Sequence, residues 1–299
     1  MDKNIFLLWL QGWNKAPWLQ KQVLKSWQIN NPTWDIQLID SNNLNNYLSD
    51  IDYLNDKSKE ITFQARSDII RLSLLRKYGG VWADSTLLCM QPLENWVFDA
   101  VQNSGFWMYH GHGSGLNSDL GPASWFIISE KEGYLITKWK EKCDDFWKKN
   151  NKAKEYFWMD NLFKNLLISD NTFKSKWQAT PFLYCEKIGS SHTFANYNFK
   201  MHKNNSEIKE ILKIRPPYVL KFSSNWNKIF KKLSKKEIYN SNAFYAIRMS
   251  KRKYVYIHNF EKSFSLASPI KTSLFLTKLK AFIKFNLALL NSLFKRLKI

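Results

Sequence analysis

Asp68, Arg71 and Asp84 are the residues whose types and spacing most directly suggest chemistry. They lie in the stretch QARSDIIRLSLLRKYGGVWADSTLLC, residues 64–89. Asp68 and Arg71 are three positions apart on an expected helix over 62–78, so they share one face of it. Gly79 and Gly80 stop that helix, and Val81, Trp82 and Ala83 begin a buried strand that delivers Asp84 at its end. Helix, turn and strand packed together can bring the Asp68–Arg71 face near Asp84, with Ser67 and Ser85 alongside. Open α/β sheets bind their ligands at the carboxyl ends of such strands. An exposed ion pair between neighbouring helix turns also accounts for Asp68 and Arg71, and spacing leaves both readings open. No nucleophile–base pair is evident.

The elements around this stretch read as a βαβαβ unit. Residues 3–8 form a short apolar strand, and 19–30 have helical spacing up to Pro32. Residues 34–39 alternate as a second strand, 40–43 make a turn, and 44–55 form a weak helix before the helix at 62–78 and the strand at 81–83. That order predicts an α/β fold with parallel strands and right-handed crossovers. Further strands are expected at 105–109 and 123–129, and helices at 134–149 and 156–168. Residues 170–200 read as irregular, and 203–240 as basic and partly helical, broken at Pro216-Pro217. A late strand at 254–257 ends in His258.

Composition narrows the function classes. The chain of 299 residues carries a net charge of +20 and 14 tryptophans. Most of those aromatic residues suit a core, and some suit a flat or sugar-like ligand. Residues 203–253 hold 14 Lys/Arg against 3 Asp/Glu, which points to an anionic partner. No helix-turn-helix, zinc-finger or RNA-binding signature is present, so a nucleic acid is not the expected partner. Cys89, Cys143 and Cys185 make no disulfide framework, and the expected setting is reducing and cytoplasmic. No run of apolar residues is long enough to span a membrane. From position 273 onward, however, Leu276, Leu279, Ile283, Leu287, Leu290, Phe294 and Leu297 recur at helical spacing. Residues 271–299 add 7 Lys/Arg and no acid. That composition suits a helix lying on an anionic membrane, each basic residue contributing about 1 kcal/mol near the surface. The alternative is a C-terminal helix packed on the domain or on a partner chain. Two units are expected: a domain over 1–265 and a basic amphipathic helix over 266–299.

The segments IFLLWLQGWNKAPWLQKQVLKSWQINNPTWDIQLIDSNNL and QARSDIIRLSLLRKYGGVWADSTLLCMQPLENW resemble the bacterial capsular polysaccharide synthesis glycosyltransferases. These are relatives of the sugar-transferase superfamily with a DxD motif, which includes initiating mannosyltransferases and clostridial glucosylating toxins. The resemblance covers residues 4–100 most clearly and thins beyond residue 200. It implies a GT-A-like fold, a Rossmann-type nucleotide-sugar domain with a mixed sheet. It implies transfer from a nucleotide sugar, UDP-linked, to a growing lipid-linked glycan, with retention of configuration, at the inner face of the cell membrane. By this resemblance Trp9 stacks on the base, Asn42 lies near the nucleoside, and Ser67, Asp68, Arg71 and Ser85 contact the donor. Core packing is the competing reading of Trp9. Asp84 takes the place of the first DxD acid, and Asp160, in YFWMDNLF, that of an acid facing the reaction centre near the acceptor.

Two further expectations attach to the histidines. His110 and His112, on the glycine-rich loop HGHGSGLNSDLGP, are candidate acceptor contacts, a plain exposed loop being the alternative. The cofactor implied is Mn²⁺ or Mg²⁺ on Asp84, with His258 as a further ligand or phosphate contact. Thr86 stands where the second DxD acid belongs, and a hydroxyl is a poorer ligand than a carboxylate for such hard cations. Cations of the 203–253 segment can instead neutralise a departing diphosphate. A catalytically degenerate sugar-nucleotide or glycan-binding protein is the alternative function.

Overall fold

The apolar run Ile5–Leu8 is buried throughout, as the inner strand of a sheet covered on both faces must be. A computed structural model describes residues 1–110, 123–181, 183, 204–214, 216–222 and 226–251. The chain begins β1 (Asn4–Leu8), α1 (Trp18–Asn30), β2 (Asp35–Ile39), α2 (Leu44–Tyr47), α3 (Phe63–Tyr78) and β3 (Gly80–Ala83). It continues through β4 (Leu87–Cys89), α4 (Val97–Val101), β5 (Phe106–Met108), β6 (Phe126–Ser129), α5 (Tyr134–Lys149), α6 (Trp158–Ser169) and α7 (Asn171–Gln178). The last described elements are α8 (Ser206–Ile214), β7 (Val219–Lys221), α9 (Trp226–Lys232), α10 (Lys235–Asn240) and α11 (Asn242–Met249).

The main sheet has five strands in the order β2-β1-β3-β6-β5. β1 runs parallel to β2 and β3, with Ile5 opposite Ile36 and Val81, which is the expected βαβαβ unit. β6 then runs antiparallel to both β3 and β5, so the α/β fold carries a mixed sheet. Six tryptophans, Trp27, Trp82, Trp96, Trp107, Trp139 and Trp147, are fully buried. With Trp34, Trp125, Trp158 and Trp226, also buried, ten of the 14 tryptophans belong to the core.

α3 is the central helix. Thr62 caps its N-terminus, the hydroxyl accepting from Ala65 N at 3.2 Å. Leu72, Leu74 and Leu75 are buried in succession, so no single apolar stripe marks this helix; the sheet and α5 cover different faces of it. Gly79 ends it at φ +65, and Gly80 follows at φ +97. A Cβ on Gly80 would lie 2.4 Å from Asn4 O, so only glycine lets β3 close against β1. The reversal is what aims Asp84 at the helix face that carries Asp68 and Arg71.

A second sheet, the antiparallel pair β4 and β7, lies beside the first. α1 fastens the free side of β4: Trp27 Nε1 donates to Leu87 O at 2.7 Å, and Cys89 N donates to Ser26 Oγ at 3.0 Å. β4 is thereby fixed on both edges and sets the position of β7. Trp96 stacks on Tyr218 at 4.3 Å behind β7.

Three sequence expectations need correction. The weak helix expected over 44–55 ends at Tyr47, followed by a separate 3-10 turn, Asp52–Asn55. The segment after 170 is not irregular throughout: α7 forms because Asp170 caps it, accepting from Phe173 N at 2.9 Å. The 203–240 segment contains a strand, β7, as well as helices. A three-residue strand has no periodicity to read, and the partner of β7 lies far back in the chain. The strand expected at 254–257, His258 and the helix expected from 273 lie outside the described residues.

Candidate active site

A cleft of about 460 Å³ opens at the carboxyl ends of the parallel strands β1 and β3. Leu8 and Trp9 enter it from β1, and Trp82, Asp84, Ser85 and Thr86 from β3. α3 contributes Ser67, Asp68 and Arg71, α6 contributes Asp160, and β7 contributes Lys221. This is the edge where a sheet with parallel strands binds ligands.

Arg71 organises the floor. Nη1 lies 3.2 Å from Asp68 Oδ1 and donates to Ser124 O at 3.0 Å and Ser124 Oγ at 2.8 Å. Nη2 donates to Asp84 Oδ1 at 3.3 Å and Ser67 Oγ at 3.3 Å. The guanidinium also lies 5.3 Å from the Trp82 ring. A planar fork of donors can serve several acceptors in this way, and a lysine cannot. The Asp68–Arg71 pair is buried, each side chain 6% exposed, so it is not a solvated surface pair.

Asp84 is held from three sides. Trp82 Nε1 donates to Oδ1 at 3.0 Å, beside Arg71. Lys221 Nζ donates to Oδ2 at 2.5 Å and to Thr86 Oγ1 at 2.7 Å. Burial by itself raises the pKa of Asp84, but Lys221 and Arg71 outweigh it and hold the carboxyl below its usual range. Burial draws the Lys221 ammonium down from its ordinary value against the pull of Asp84. The other two acids shift the opposite way. Burial raises Asp68 to about 7 against the attraction of Arg71, with Asp160 and Asp84 adding to the rise. Burial likewise raises Asp160 to about 6. Asp160 lines the cleft, and its Oδ1 is buried without a hydrogen-bond partner among the described residues.

The model of the family described as "Capsular polysaccharide synthesis protein" matches residues 1–242 of this chain. The chain belongs to the capsular polysaccharide synthesis family. An O-glycosyltransferase of Annulohypoxylon truncatum, braB, is 23% identical over 164 residues, which are 49% of this chain and 38% of that protein. A glycosyltransferase of Aspergillus fumigatus, afumC, is 27% identical over 112 residues, 34% of this chain and 29% of that protein. The chain therefore spans well under half the length of either curated relative. Among solved structures it is similar to the glycosyltransferase GlyE of Streptococcus pneumoniae TIGR4, at TM-score 0.43 and 14% identity, over 90% of this chain and 65% of that one. The PaToxG glycosyltransferase gives TM-score 0.39 and 12% identity, over 84% of this chain and 86% of that one.

Of the residues singled out in the sequence of this family member, Trp9, Ser67, Asp68, Arg71, Asp84, Ser85 and Asp160 line one cleft. Asn42 does not: it is exposed in the turn after β2, where its backbone N–H donates to Asp40 Oδ1 at 2.8 Å. Nor does His110, whose ring is buried against Trp177 at 4.2 Å and whose pKa burial lowers to about 3. His112 and His258 lie outside the described residues. The cleft residues missed in the sequence are Lys221, Ser124 and a rim of exposed aromatics, Phe63, Tyr156 and Phe157. The sole local hint of Lys221 is one lysine following the apolar run Tyr218-Val219-Leu220 in a basic region.

The donors at Asp84 do not fit Mn²⁺ or Mg²⁺. Both carboxylate oxygens already accept N–H groups, and the Thr86 hydroxyl accepts from Lys221. Magnesium demands near-octahedral oxygen ligation. Among the described residues no three His, Cys, Asp or Glu side chains cluster to hold a metal ion.

Proposed function

We propose that this chain is a GT-A-like glycosyltransferase that moves a sugar from a UDP-linked donor to a growing lipid-linked surface glycan, with retention of configuration. The observation that carries this reading is the joining of Asp68, Arg71, Asp84 and Asp160 in one cleft at the ends of β1 and β3. Membership of the capsular polysaccharide synthesis family and the likeness to two named glycosyltransferases support it.

Each residue has a physical task in this reading. Trp9, half-buried at the end of β1, offers a flat face to the base. Asp68 and Arg71 hold donor-sugar hydroxyls from the floor, with Ser67 and Ser85 beside them. The Asp160 carboxylate, which lines the cleft, accepts a hydrogen bond from a sugar hydroxyl at the reaction centre. Phe63, Tyr156 and Phe157 form the rim against which the apolar faces of acceptor sugars pack. In the transfer, the bond from the anomeric carbon to the diphosphate oxygen breaks with its electron pair on that oxygen. The acceptor oxygen bonds to the carbon, and the acceptor proton ends on the diphosphate.

The charge and apolar stripe of residues 271–299 support peripheral attachment to the anionic inner face of the cell membrane. Among the described residues no helix is long and apolar enough to cross a membrane. Sedimentation with anionic vesicles tests this: removal of 271–299 is expected to release the protein, and retained binding rejects the anchor.

The activity is tested with a panel of nucleotide sugars, scoring hydrolysis and transfer, with Asp84→Asn as control. Turnover of one donor that Asp84→Asn abolishes supports the reading. No turnover with any donor, together with ligand binding unchanged in Asp84→Asn, leaves a binding protein instead.

A further inference from the structure

Lys221 reaches the cleft by strand pairing. β7 lies antiparallel to β4 with Leu87 opposite Lys221, and Phe222 N donates to Thr86 O at 2.8 Å. The Lys221 side chain is only 12% exposed. Its ammonium sits between Asp84 Oδ2 and Thr86 Oγ1, the two side chains of the Asp84-Ser85-Thr86 segment that face it. An ammonium has three N–H groups, and these two contacts use two of them. The third is left for the cleft that Lys221 lines.

A divalent ion approaching Asp84 would meet that ammonium and the Arg71 guanidinium at the oxygens it needs. The like-charge repulsion is poorly screened among side chains this buried. We propose that Lys221 serves in place of a divalent cation here, its ammonium binding the diphosphate of the donor so that nucleotide binding and sugar release need neither Mn²⁺ nor Mg²⁺. The inference rests on the glycosyltransferase reading of the cleft. As the bond between sugar and diphosphate breaks, the electron pair goes to the diphosphate oxygen, and Lys221 donates a hydrogen bond to the charge that develops there. Lys221 remains protonated throughout. Thr86 suits this arrangement better than a second acid would: a hydroxyl positions the ammonium without neutralising its charge. Burial makes the Lys221 ammonium costly beside Asp84 alone, so an incoming diphosphate relieves that cost.

The test is calorimetric titration with UDP, GDP and inorganic pyrophosphate, each in EDTA and in excess Mn²⁺. The wild-type protein is expected to bind at least one of them with equal affinity in both conditions. Lys221→Met is expected to weaken that binding in EDTA roughly tenfold to a hundredfold, the worth of one charge-assisted hydrogen bond. Lys221→Arg keeps the charge, recovers part of the loss, and serves as the readout if Lys221→Met does not fold. Wild-type binding that EDTA abolishes and Mn²⁺ restores, or affinity in EDTA unchanged in Lys221→Met, overturns the role of Lys221 and leaves the glycosyltransferase reading standing. No binding of any of the three probes in either condition overturns both.

Discussion

Arg71 Nη2 lies 3.3 Å from Asp84 Oδ1, joining a helix residue to a strand-end residue thirteen positions later. The same guanidinium holds Asp68 through Nη1, so one cation separates two carboxylates. Removing it leaves buried Asp68 without its counter-charge and Asp84 with Lys221 alone. Arg71→Met is expected to cost about 3–5 kcal/mol, the penalty for breaking a buried ion pair from one side. Arg71→Lys keeps the charge but not the fork; its fold survives with a smaller loss, while turnover of the donor falls by roughly a hundredfold or more. Urea unfolding and donor turnover, measured on both variants, check the split. Equal activity in Arg71→Lys and wild type would remove Arg71 from the donor site.

Asp160 sets a pH dependence. Its folded-state pKa is raised to about 6 by burial. The protonated form is thus the stable one in the fold, and that contribution is present below the ordinary carboxylate range and lost as pH rises through about 6. Asp160→Asn mimics the protonated form. The variant is expected to be more stable than wild type at pH 7.5 by about 1–3 kcal/mol, with the gain fading toward pH 4. Its sugar-transfer activity is expected to fall, an exchange of stability for function common at active sites. Melting temperatures across that range supply the measurement; parallel curves for the two proteins contradict the assignment.

The aromatic rim predicts an effect confined to the acceptor. Phe63 is 73% exposed and Tyr156 is 68% exposed. Truncating either to alanine should change stability by no more than about 0.5 kcal/mol. One lost stacking contact of about 1 kcal/mol corresponds to a roughly fivefold rise in acceptor KM. Donor KM and kcat should hold steady. Acceptor KM unmoved in Phe63→Ala, Tyr156→Ala and the double variant would exclude the rim from acceptor binding.

Gly80 is the backbone residue on which the aim of Asp84 depends. Gly80→Ala places a methyl group 2.4 Å from Asn4 O at φ +97. Strain of this kind and the displaced β1 ladder should cost about 2 kcal/mol or more. A urea midpoint equal to wild type would mean that β1 yields at Asn4 without cost.

Much of this site is legible along the chain because it is local. Three-residue spacing puts Asp68 and Arg71 on one helix face, and two glycines followed by Val81-Trp82-Ala83 carry Asp84 to a strand end. The parallel order of β1, β2 and β3 follows from alternating strands and helices. Tertiary structure alone decides the partner of Asp84. Lys221 lies 137 residues further on, at the end of a strand too short to show a period, and only the pairing of β7 with β4 brings it there. The same limit applies to the burial that lifts Asp68 and Asp160 and to the exposure of Phe63 and Tyr156. Residue type and spacing determine which groups share an element, whereas charge partners and desolvation depend on which distant segments pack against it.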